Sequence, residues 1–194
     1  ACLAGSLWLA GLQEQADRGA LDADEVAFFR VAVNLNKLRT SVLAHDAVNR
    51  GIEMLGGNGA IESFSVLPRL LRDNVVYENW EGSHNVLRAQ VLRDCGRLGV
   101  HAGFFRVLRR ALGAEHAEEL DADEAALVSL LGDDAALRDM RFRRVSDRMA
   151  TWVMVAAMRP VAALDAARRM SLRHVQEMAV DETYVETVAA LQRR

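Results

Sequence analysis

The sequence predicts an all-α protein, and three observations point to this fold class. Ala, Leu, Arg and Glu, which favour helices, dominate the 194-residue chain. Prolines, which interrupt helices, occur only at Pro68 and Pro160. No clear run alternates between apolar and polar residues as a half-buried strand does, and no internal repeat is found.

The composition argues against several classes of protein. Hydrophobic residues make up 51% of the chain, which is ample for a buried core, and the net charge of −3 lacks the basic excess of a dedicated nucleic-acid binder. Cys2 and Cys95 lie far apart and, like the scattered histidines, lack metal-ligand spacing. We therefore expect no metal site and a reducing, cytoplasmic setting.

The first residues form the apolar run ACLAGSLWLAGL, without an initiator methionine or a basic start. The run is too short for a membrane span, which needs roughly 20 apolar residues, and it makes a poor signal peptide. It is typical of a buried helix that is already under way. We expect no membrane span, and we expect the chain to begin within a larger protein.

A long helix is predicted from about Asp24 to Leu55. Asp22 and Glu25 form a capping-box pattern at its start. The segment Gly56–Gly59 ends it, because each glycine costs a helix about 1 kcal/mol relative to alanine. Helical spacing predicts one buried stripe on this helix, made of Val26, Phe29, Val33, Thr40, Leu43, Ala47 and Met54.

Two shorter helices should follow the glycines. Pro68 suits a first helical position, so 68–73 should form one or two turns, with 74–82 as a connection. Ser83 should then cap a helix over 84–95. The residues of that helix expected to face inward are Val86, Leu87, Val91 and Leu92.

The character of the sequence changes past Gly99. Asp121 and Glu124 repeat the capping-box pattern, and Pro160 should separate two helices. The predicted helices cover 100–112, 121–131, 134–158 and 160–193. We expect 1–96 and 97–194 to be two halves of one helical assembly, since the linker between them is too short for independent domains.

Two connections carry residues suited to chemistry. Glycines 56, 57 and 59 let backbone N–H groups approach phosphate oxygens, although an ordinary helix C-terminus explains them equally well. Glu81 lies between Trp80 and Gly82. A carboxylate beside an aromatic ring and a flexible residue suits a general base, but an ordinary loop glutamate fits the same pattern. The residues alone do not decide between phosphate binding and a helix C-terminus for the glycines. Nor do they decide between a general base and an ordinary loop residue for Glu81.

The stretch 47–93 resembles the late segment of acyl-CoA dehydrogenases at three points in the family's order. An apolar helix ends in LGGNG, a proline-led helix ends in Arg72-Asp73, and the turn Trp80-Glu81-Gly82-Ser83 opens another helix. Each piece is weak evidence by itself, whereas the three at family spacing form a specific signal. The resemblance implies the later helices of a dehydrogenase helical bundle over 1–96, followed by a helical C-terminal extension.

The resemblance implies FAD-dependent oxidation of an acyl-CoA thioester to the α,β-enoyl-CoA. Glu81 matches the base that removes the α-proton, and Glu81 and Gly82 match the contact to the thioester. FAD is implied to accept the β-hydride, with electron-transfer flavoprotein or another acceptor as redox partner. The family also implies a homo-oligomer, because its glycine loop commonly meets the FAD of a neighbouring subunit. The residues that match FAD contacts are Gly56, Gly57, Asn58, Gly59, Ser83 and Asn85.

The sequence departs from the family pattern in several places. Glu53 stands where many relatives have glutamine, and its carboxylate would repel a pyrophosphate, so we expect it to point elsewhere. Some branches of the family carry the base on an earlier helix, which leaves an alternative to Glu81. The helical and β-domains that precede this segment in the family are not recognisable in the sequence.

The roughly hundred-residue tail and the Trp80–Ser83 turn resemble the alkylation-damage-response branch of the family, whose basic tail region has been linked to DNA. The tail carries two basic clusters, but its acidic residues nearly balance them. This balance favours solvated helix faces over phosphate contacts to DNA or CoA. A DNA-associated flavoprotein and a non-catalytic oligomerisation fragment therefore stay as alternative functions. The two clusters are Arg106, Arg109 and Arg110, and Arg138, Arg141, Arg143, Arg144 and Arg148.

Overall fold

The computed structural model describes residues 1–176, 186–187 and 189–191, and every regular element in these ranges is a helix. The predicted all-α fold is thereby confirmed. Short 3₁₀ segments lie at Gly56–Ala60, Ala114–His116 and Ala162–Leu164. The α-helices are α1 (Cys2–Asp17), α2 (Ala23–Leu55), α3 (Leu67–Asn79), α4 (His84–Leu98), α5 (Val100–Leu112), α6 (Ala117–Leu131), α7 (Ala135–Met158) and α8 (Asp165–Gln176).

Helix α2 is the central element and contacts α1, α3, α4, α5 and α7. The predicted capping box fixes its start. The Glu25 N–H donates to Asp22 Oδ1 over 2.8 Å, and the Asp22 N–H donates to Glu25 Oε2 over 2.9 Å. These bonds satisfy two N–H groups that a helix start otherwise leaves unpaired. With 33 residues, α2 is about 50 Å long, so one helix supports elements from both halves of the chain.

The predicted buried stripe of α2 is wrong. Val26 is 53% exposed and Met54 is 88% exposed, and Ala47 also faces solvent. Apolar residues lie on more than one face of α2, so helical spacing alone does not decide which face the neighbouring helices cover. The buried face is rotated by about one residue, or roughly 100°. It consists of Phe28, Val31, Ala32, Leu35, Asn36, Leu38 and Ser41.

The core forms where α1, α5 and α7 pack on α2. Phe28 stacks on Phe104 of α5, with ring centroids 5.4 Å apart, and Trp8 of α1 lies 4.7 Å from Phe28. Trp152 of α7 is fully buried, and its indole N–H donates to Asp123 of α6 over 2.7 Å. This bond satisfies the one polar group of the indole, which lets a large aromatic side chain occupy the interior.

Helix α3 is longer than the sequence predicted. It begins at Leu67 and continues to Asn79, so most of the predicted connection over 74–82 is helical. Asn74 is buried, and its side-chain amide donates to the backbone oxygen of Ser41 over 3.2 Å. This long-range contact holds the helix against α2 at a residue whose intrinsic helix propensity is poor.

Helix α4 begins at the predicted residue but runs on to Leu98 instead of ending at Cys95. Ser83 occupies the N-cap position without a side-chain capping bond, so its predicted capping role is wrong. Val86 is 48% exposed instead of facing inward. The other residues predicted to face inward are buried, namely Leu87, Val91 and Leu92.

In the tail, α5 and α7 confirm the predicted helices over 100–112 and 134–158 to within one residue. Helix α6 begins at Ala117, so Asp121 lies within it and is not a cap. Instead, the Arg109 side chain of α5 donates to Asp121 and to Glu124, each over 2.6 Å. The acidic pair therefore ties α6 to α5.

Pro160 separates α7 from α8, as predicted, but α8 begins only at Asp165 because a 3₁₀ segment comes first. The predicted helix over 160–193 also includes 177–185, 188 and 192–193, which lie outside the described residues. Within the described residues, no helix combines the length and the apolarity needed to cross a membrane.

The approach of α2 to α5 generates the first prediction. A methyl group added at Gly103 would lie 2.7 Å from Ala27 Cβ and 3.2 Å from Asp24 Cα. We expect Gly103→Ala to lower the free energy of unfolding by about 1 to 3 kcal/mol, because overpacking outweighs the gain in helix propensity. Urea denaturation followed by circular dichroism measures this change.

Gly96→Ala in α4 is the matched control. A methyl group there meets only Leu131 Cδ2, at an ordinary 3.6 Å. This variant should be unchanged or slightly stabilised, since alanine favours a helix. Ala27→Gly, added to Gly103→Ala, should restore part of the loss by removing the clash. Equal stability of the two single variants would contradict the close helix contact.

Candidate functional site

The predicted catalytic turn, residues 80–83, joins α3 to α4. Among the described residues, Glu81 is the one non-glycine residue with a positive φ, at 60°, and Gly82 follows at 115°. A non-glycine residue in this region is strained by about 1 to 3 kcal/mol, and such strain clusters at functional sites. The Glu81 side chain is exposed. The turn therefore presents a carboxylate to solvent on a backbone that the surrounding contacts must hold.

Lys37 of α2 provides those contacts. Its ammonium donates to the backbone oxygen of Glu78 over 3.1 Å and to that of Gly82 over 2.8 Å. We refer to these two bonds as the Lys37 bridge. The bridge joins the last turn of α3 to Gly82, so it holds the two sides of the turn together.

Electrostatics couple Lys37 to Glu81. Burial lowers the pKa of the Lys37 ammonium, while the nearby carboxylates of Glu81 and Glu78 oppose this shift. The Glu81 carboxylate therefore favours the charged form of the Lys37 ammonium. The sequence analysis did not identify Lys37 as a functional residue. One signal could have done so, because Lys37 is the only lysine in a chain that otherwise uses arginine.

A polar cluster beside the bridge connects α2, α3 and α4. His45 Nδ1 lies 2.6 Å from Glu78 Oε1, and the Asn74 amide donates to the same oxygen over 2.7 Å. Ser41 Oγ lies 3.3 Å from His84 Nε2. Burial is the main cause that lowers the pKa of His84, which favours its neutral form. These contacts fix the ends of the two helices that flank the turn.

The glycine segment lies at the other end of α3. It forms a 3₁₀ turn, Gly56–Ala60, instead of the open loop that the sequence predicted. Gly59 is buried, and a methyl group there would lie 2.5 Å from the backbone oxygen of Ile52, so only glycine fits. Gly56, Gly57 and Asn58 are exposed, and the two glycines have open space around them. A flat ligand therefore has access to their backbone.

The two predicted FAD-contacting segments are not adjacent within one chain. Helix α3, of 13 residues, separates the glycine segment from residues 80–83. At a rise of 1.5 Å per residue, this separation is about 20 Å. Ser83 and Asn85 lie beside Glu81 instead, at the start of α4. Asn85 is exposed and lines a cavity of about 440 Å³ together with Arg88 and Arg143.

Exposed apolar side chains occur along the chain from the glycine segment to the 80–83 turn, and we refer to them as the apolar surface. Trp80 is 54% exposed, and its ring meets that of Tyr77 edge-on at 6.3 Å. Exposed apolar patches of this kind mark sites of contact with other protein surfaces or ligands. The surface also includes the exposed side chains of Met54, Ile61, Phe64, Val66, Leu70, Val75 and Val76.

Among the described residues, no group of three or more His, Cys, Asp or Glu side chains is placed to hold a metal ion. Cys95 is buried in the core, and burial raises the pKa of its thiol to about 12. A thiol with this pKa carries almost no thiolate at neutral pH, so Cys95 is a packing residue rather than a nucleophile.

Comparisons with known proteins place this geometry in context. Residues 4–96 match the family described as acyl-CoA dehydrogenase, C-terminal domain. A Caenorhabditis elegans protein, acyl-CoA dehydrogenase family member 11, is 35% identical over 96 residues, which are 49% of this chain and 15% of that protein. The chain thus spans a small part of this curated relative.

Two solved structures share the fold over most of the chain. Bd2924 in its apo form superposes with a TM-score of 0.71 at 28% identity, covering 81% of this chain and 30% of that one. Caenorhabditis elegans ACDH-11 in complex with C11-CoA superposes with a TM-score of 0.70 at 25% identity, covering 91% of this chain and 33% of that one. The similarity to both structures therefore extends well past residue 96.

The Lys37 bridge generates the second prediction. Lys37→Met keeps the apolar stem but removes both hydrogen bonds to the turn. We expect amide hydrogen exchange in the last turn of α3, where the Trp80 N–H donates to the Val76 oxygen over 2.9 Å, to speed up by about tenfold or more, since a bond to a charged group contributes roughly 1.5 to 3 kcal/mol. Hydrogen-exchange mass spectrometry of the chain measures the rate.

Arg30→Met is the matched control, because Arg30 is a cation of the same helix that pairs with Asp94 over 2.7 Å and does not contact the turn. It should leave exchange in the last turn of α3 unchanged. If Lys37→Met also leaves it unchanged, the bridge does not hold the turn.

Proposed function

We propose that this chain, whose residues 4–96 match the acyl-CoA dehydrogenase C-terminal domain, contributes the catalytic base to an enzyme that oxidises an acyl-CoA thioester to the α,β-enoyl-CoA. Glu81 is the proposed base. The observation that carries the proposal is the exposed Glu81 carboxylate on a strained turn that the Lys37 bridge holds in place. The chain spans a minor part of its relatives, so the complete pocket needs further protein.

In the proposed mechanism, Glu81 removes the proton on the carbon next to the thioester carbonyl. Negative charge then develops on the carbonyl oxygen, where the N–H of Glu81 is positioned by the turn to stabilise it. FAD, when bound, supplies the acceptor for the hydride that leaves the β-carbon. Removing one proton and one hydride leaves the double bond, and Glu81 must then release its proton before the next cycle.

The residues present fit FAD at two places. Gly56 and Gly57 have open space around their backbone, so no side chain obstructs a large planar ligand. Ser83 makes no capping bond and Asn85 is exposed, so both polar groups are available to a ligand. The separation of about 20 Å between the two places is the length of α3. Because the glycine loop of the family commonly meets the FAD of a neighbouring subunit, we propose that the chain works within a homo-oligomer.

The exposed apolar surface around Trp80 and Phe64 supports the same assembly. Residues 97–194 are proposed to be an extension that completes the core of residues 1–96, because Phe104 stacks on Phe28 and α7 packs against α1 and α2. A purely non-catalytic assembly role would not account for the strained Glu81 turn. The proposed substrate class is an acyl-CoA, like the C11-CoA bound in the solved relative.

The alternative of a DNA-associated flavoprotein has weaker support. Nucleic-acid affinity needs several uncompensated phosphate contacts. Carboxylates within salt-bridge distance neutralise most arginines of the two basic clusters, among them Arg106 by Asp24 and Arg141 by Asp133. Among the described residues, few arginines of the two clusters therefore remain for contacts to a row of phosphates.

The third prediction tests the base. In the FAD-loaded protein that contains this chain, Glu81→Gln should abolish turnover of straight-chain acyl-CoA substrates, because the amide cannot accept the α-proton. Flavin absorbance should be unchanged. Steady-state turnover with a dye acceptor and the flavin content per chain are the measurements.

Glu14→Gln is the control, since Glu14 is an exposed carboxylate that pairs only with Arg18 on α1. It should keep full activity. Unchanged turnover in Glu81→Gln would assign the base to another residue, and absence of turnover in the unmutated protein with every chain length would remove the dehydrogenase proposal itself.

A further inference from the structure

Most arginines of the tail form ion pairs with carboxylates, so they are poorly suited to bind a phosphate. A guanidinium already held by a carboxylate gains little from a second anion, because the favourable charge interaction is already made. The remaining positive charge is therefore local. The neutralising pairs, each within 4.0 Å, join Arg106 to Asp24, Arg109 to Asp121 and Glu124, Arg110 to Asp22, Arg138 to Asp139, Arg141 to Asp133 and Arg148 to Asp123.

Two arginines that form no ion pair among the described residues, Arg39 and Arg143, line one cavity between α2 and α7. This cavity, of about 420 Å³, is lined by Arg39 from α2 and by Arg143, Arg144 and Arg148 from α7. Neither Arg39 nor Arg143 has a carboxylate partner within the part of the chain that the structure describes. Two helices from different halves of the chain thus bring uncompensated guanidinium groups to the same concave surface.

The one carboxylate in the cavity does not balance these two cations. Asp147 lines it, but Asp147 Oδ1 accepts a hydrogen bond from Arg88 over 2.8 Å. Thr151 also lines it, and its hydroxyl donates to the backbone oxygen of Asp147 over 2.8 Å. The donors left for a ligand are therefore guanidinium groups, which bind planar or tetrahedral oxyanions through paired N–H groups.

We propose that the cavity between α2 and α7 binds a phosphoryl group, with Arg39 and Arg143 as its ligands. Phosphate is the favoured class because guanidinium forks match its oxygens with two parallel hydrogen bonds. Arg143 also lines the neighbouring cavity of about 440 Å³, which opens beside Asn85. A phosphorylated small molecule held at Arg39 and Arg143 therefore extends toward the start of α4.

The ligand is a small molecule rather than a nucleic acid. Arg39 and Arg143 match one phosphoryl group, whereas nucleic-acid binders neutralise a row of phosphates and lose affinity steeply with salt. The proposal does not depend on Glu81 or on dehydrogenase activity, because the cavity lies within this chain. It also assigns a role to the contact between the two halves, since neither half supplies both arginines.

The fourth prediction uses the full 194-residue chain and inorganic pyrophosphate as the probe. Isothermal titration calorimetry at low ionic strength should detect one site. Arg39→Gln and Arg143→Gln should each weaken binding by about tenfold to a hundredfold, which is the range expected when a charged hydrogen-bond donor is lost. Arg39→Lys should keep part of the affinity, because it retains the charge but loses the fork.

Arg110→Gln is the matched control, because Arg110 is an exposed arginine that pairs with Asp22 and lies outside the cavity. It should bind pyrophosphate as the unmutated chain does. Circular dichroism shows that each variant is folded, and Arg39→Lys replaces Arg39→Gln if the latter is not. Absence of pyrophosphate binding, or equal affinity in all variants, overturns the proposal.

A duplex DNA of random sequence forms the second arm. We expect no binding at physiological salt. Tight DNA binding with a steep salt dependence that persists in Arg39→Gln would overturn the small-molecule proposal, since many other cations would then have to contact the backbone.

Discussion

The close contact between α2 and α5 is the constraint on which the rest of this structure depends. It brings Gly103 against Ala27 and lets Phe104 stack on Phe28 in the centre of the core. Because the helices approach this closely, the polypeptide after residue 96 packs against the same helix that carries Lys37. Helices α6 and α7 then attach through Arg109 and the buried Trp152.

Helix α2 also determines what the candidate site can do. Lys37 holds the strained turn by two backbone oxygens, and Ser41 and His45 contact α4 and α3 one and two turns further along the same helix. Helix α2 thus places three polar side chains, one turn apart, against the end of α3 and the start of α4. This arrangement keeps Glu81 exposed while its backbone has little freedom, which is what a base acting on a weakly acidic carbon requires.

The two proposals use opposite consequences of charge pairing. At the turn, the carboxylates of Glu78 and Glu81 compensate the charge of the Lys37 ammonium, and we propose that Lys37 positions the turn. In the cavity between α2 and α7, Arg39 and Arg143 lack such a partner among the described residues. Unbalanced cations in a concave site attract an anion from solution, whereas balanced ones stabilise the fold.

The sequence by itself determined the features that depend on neighbours along the chain. The Asp22–Glu25 capping box, the end of α2 at the glycines, the all-α class and the family match of residues 4–96 all follow from local residues. Tertiary structure decided which face of α2 is buried, because apolar residues occur on several faces and only the packed helices select one. It also decided that Asp121 pairs with Arg109 instead of capping a helix, and that Lys37 reaches across 45 residues to Gly82. Such contacts depend on the distance between side chains in space, which local sequence patterns do not encode.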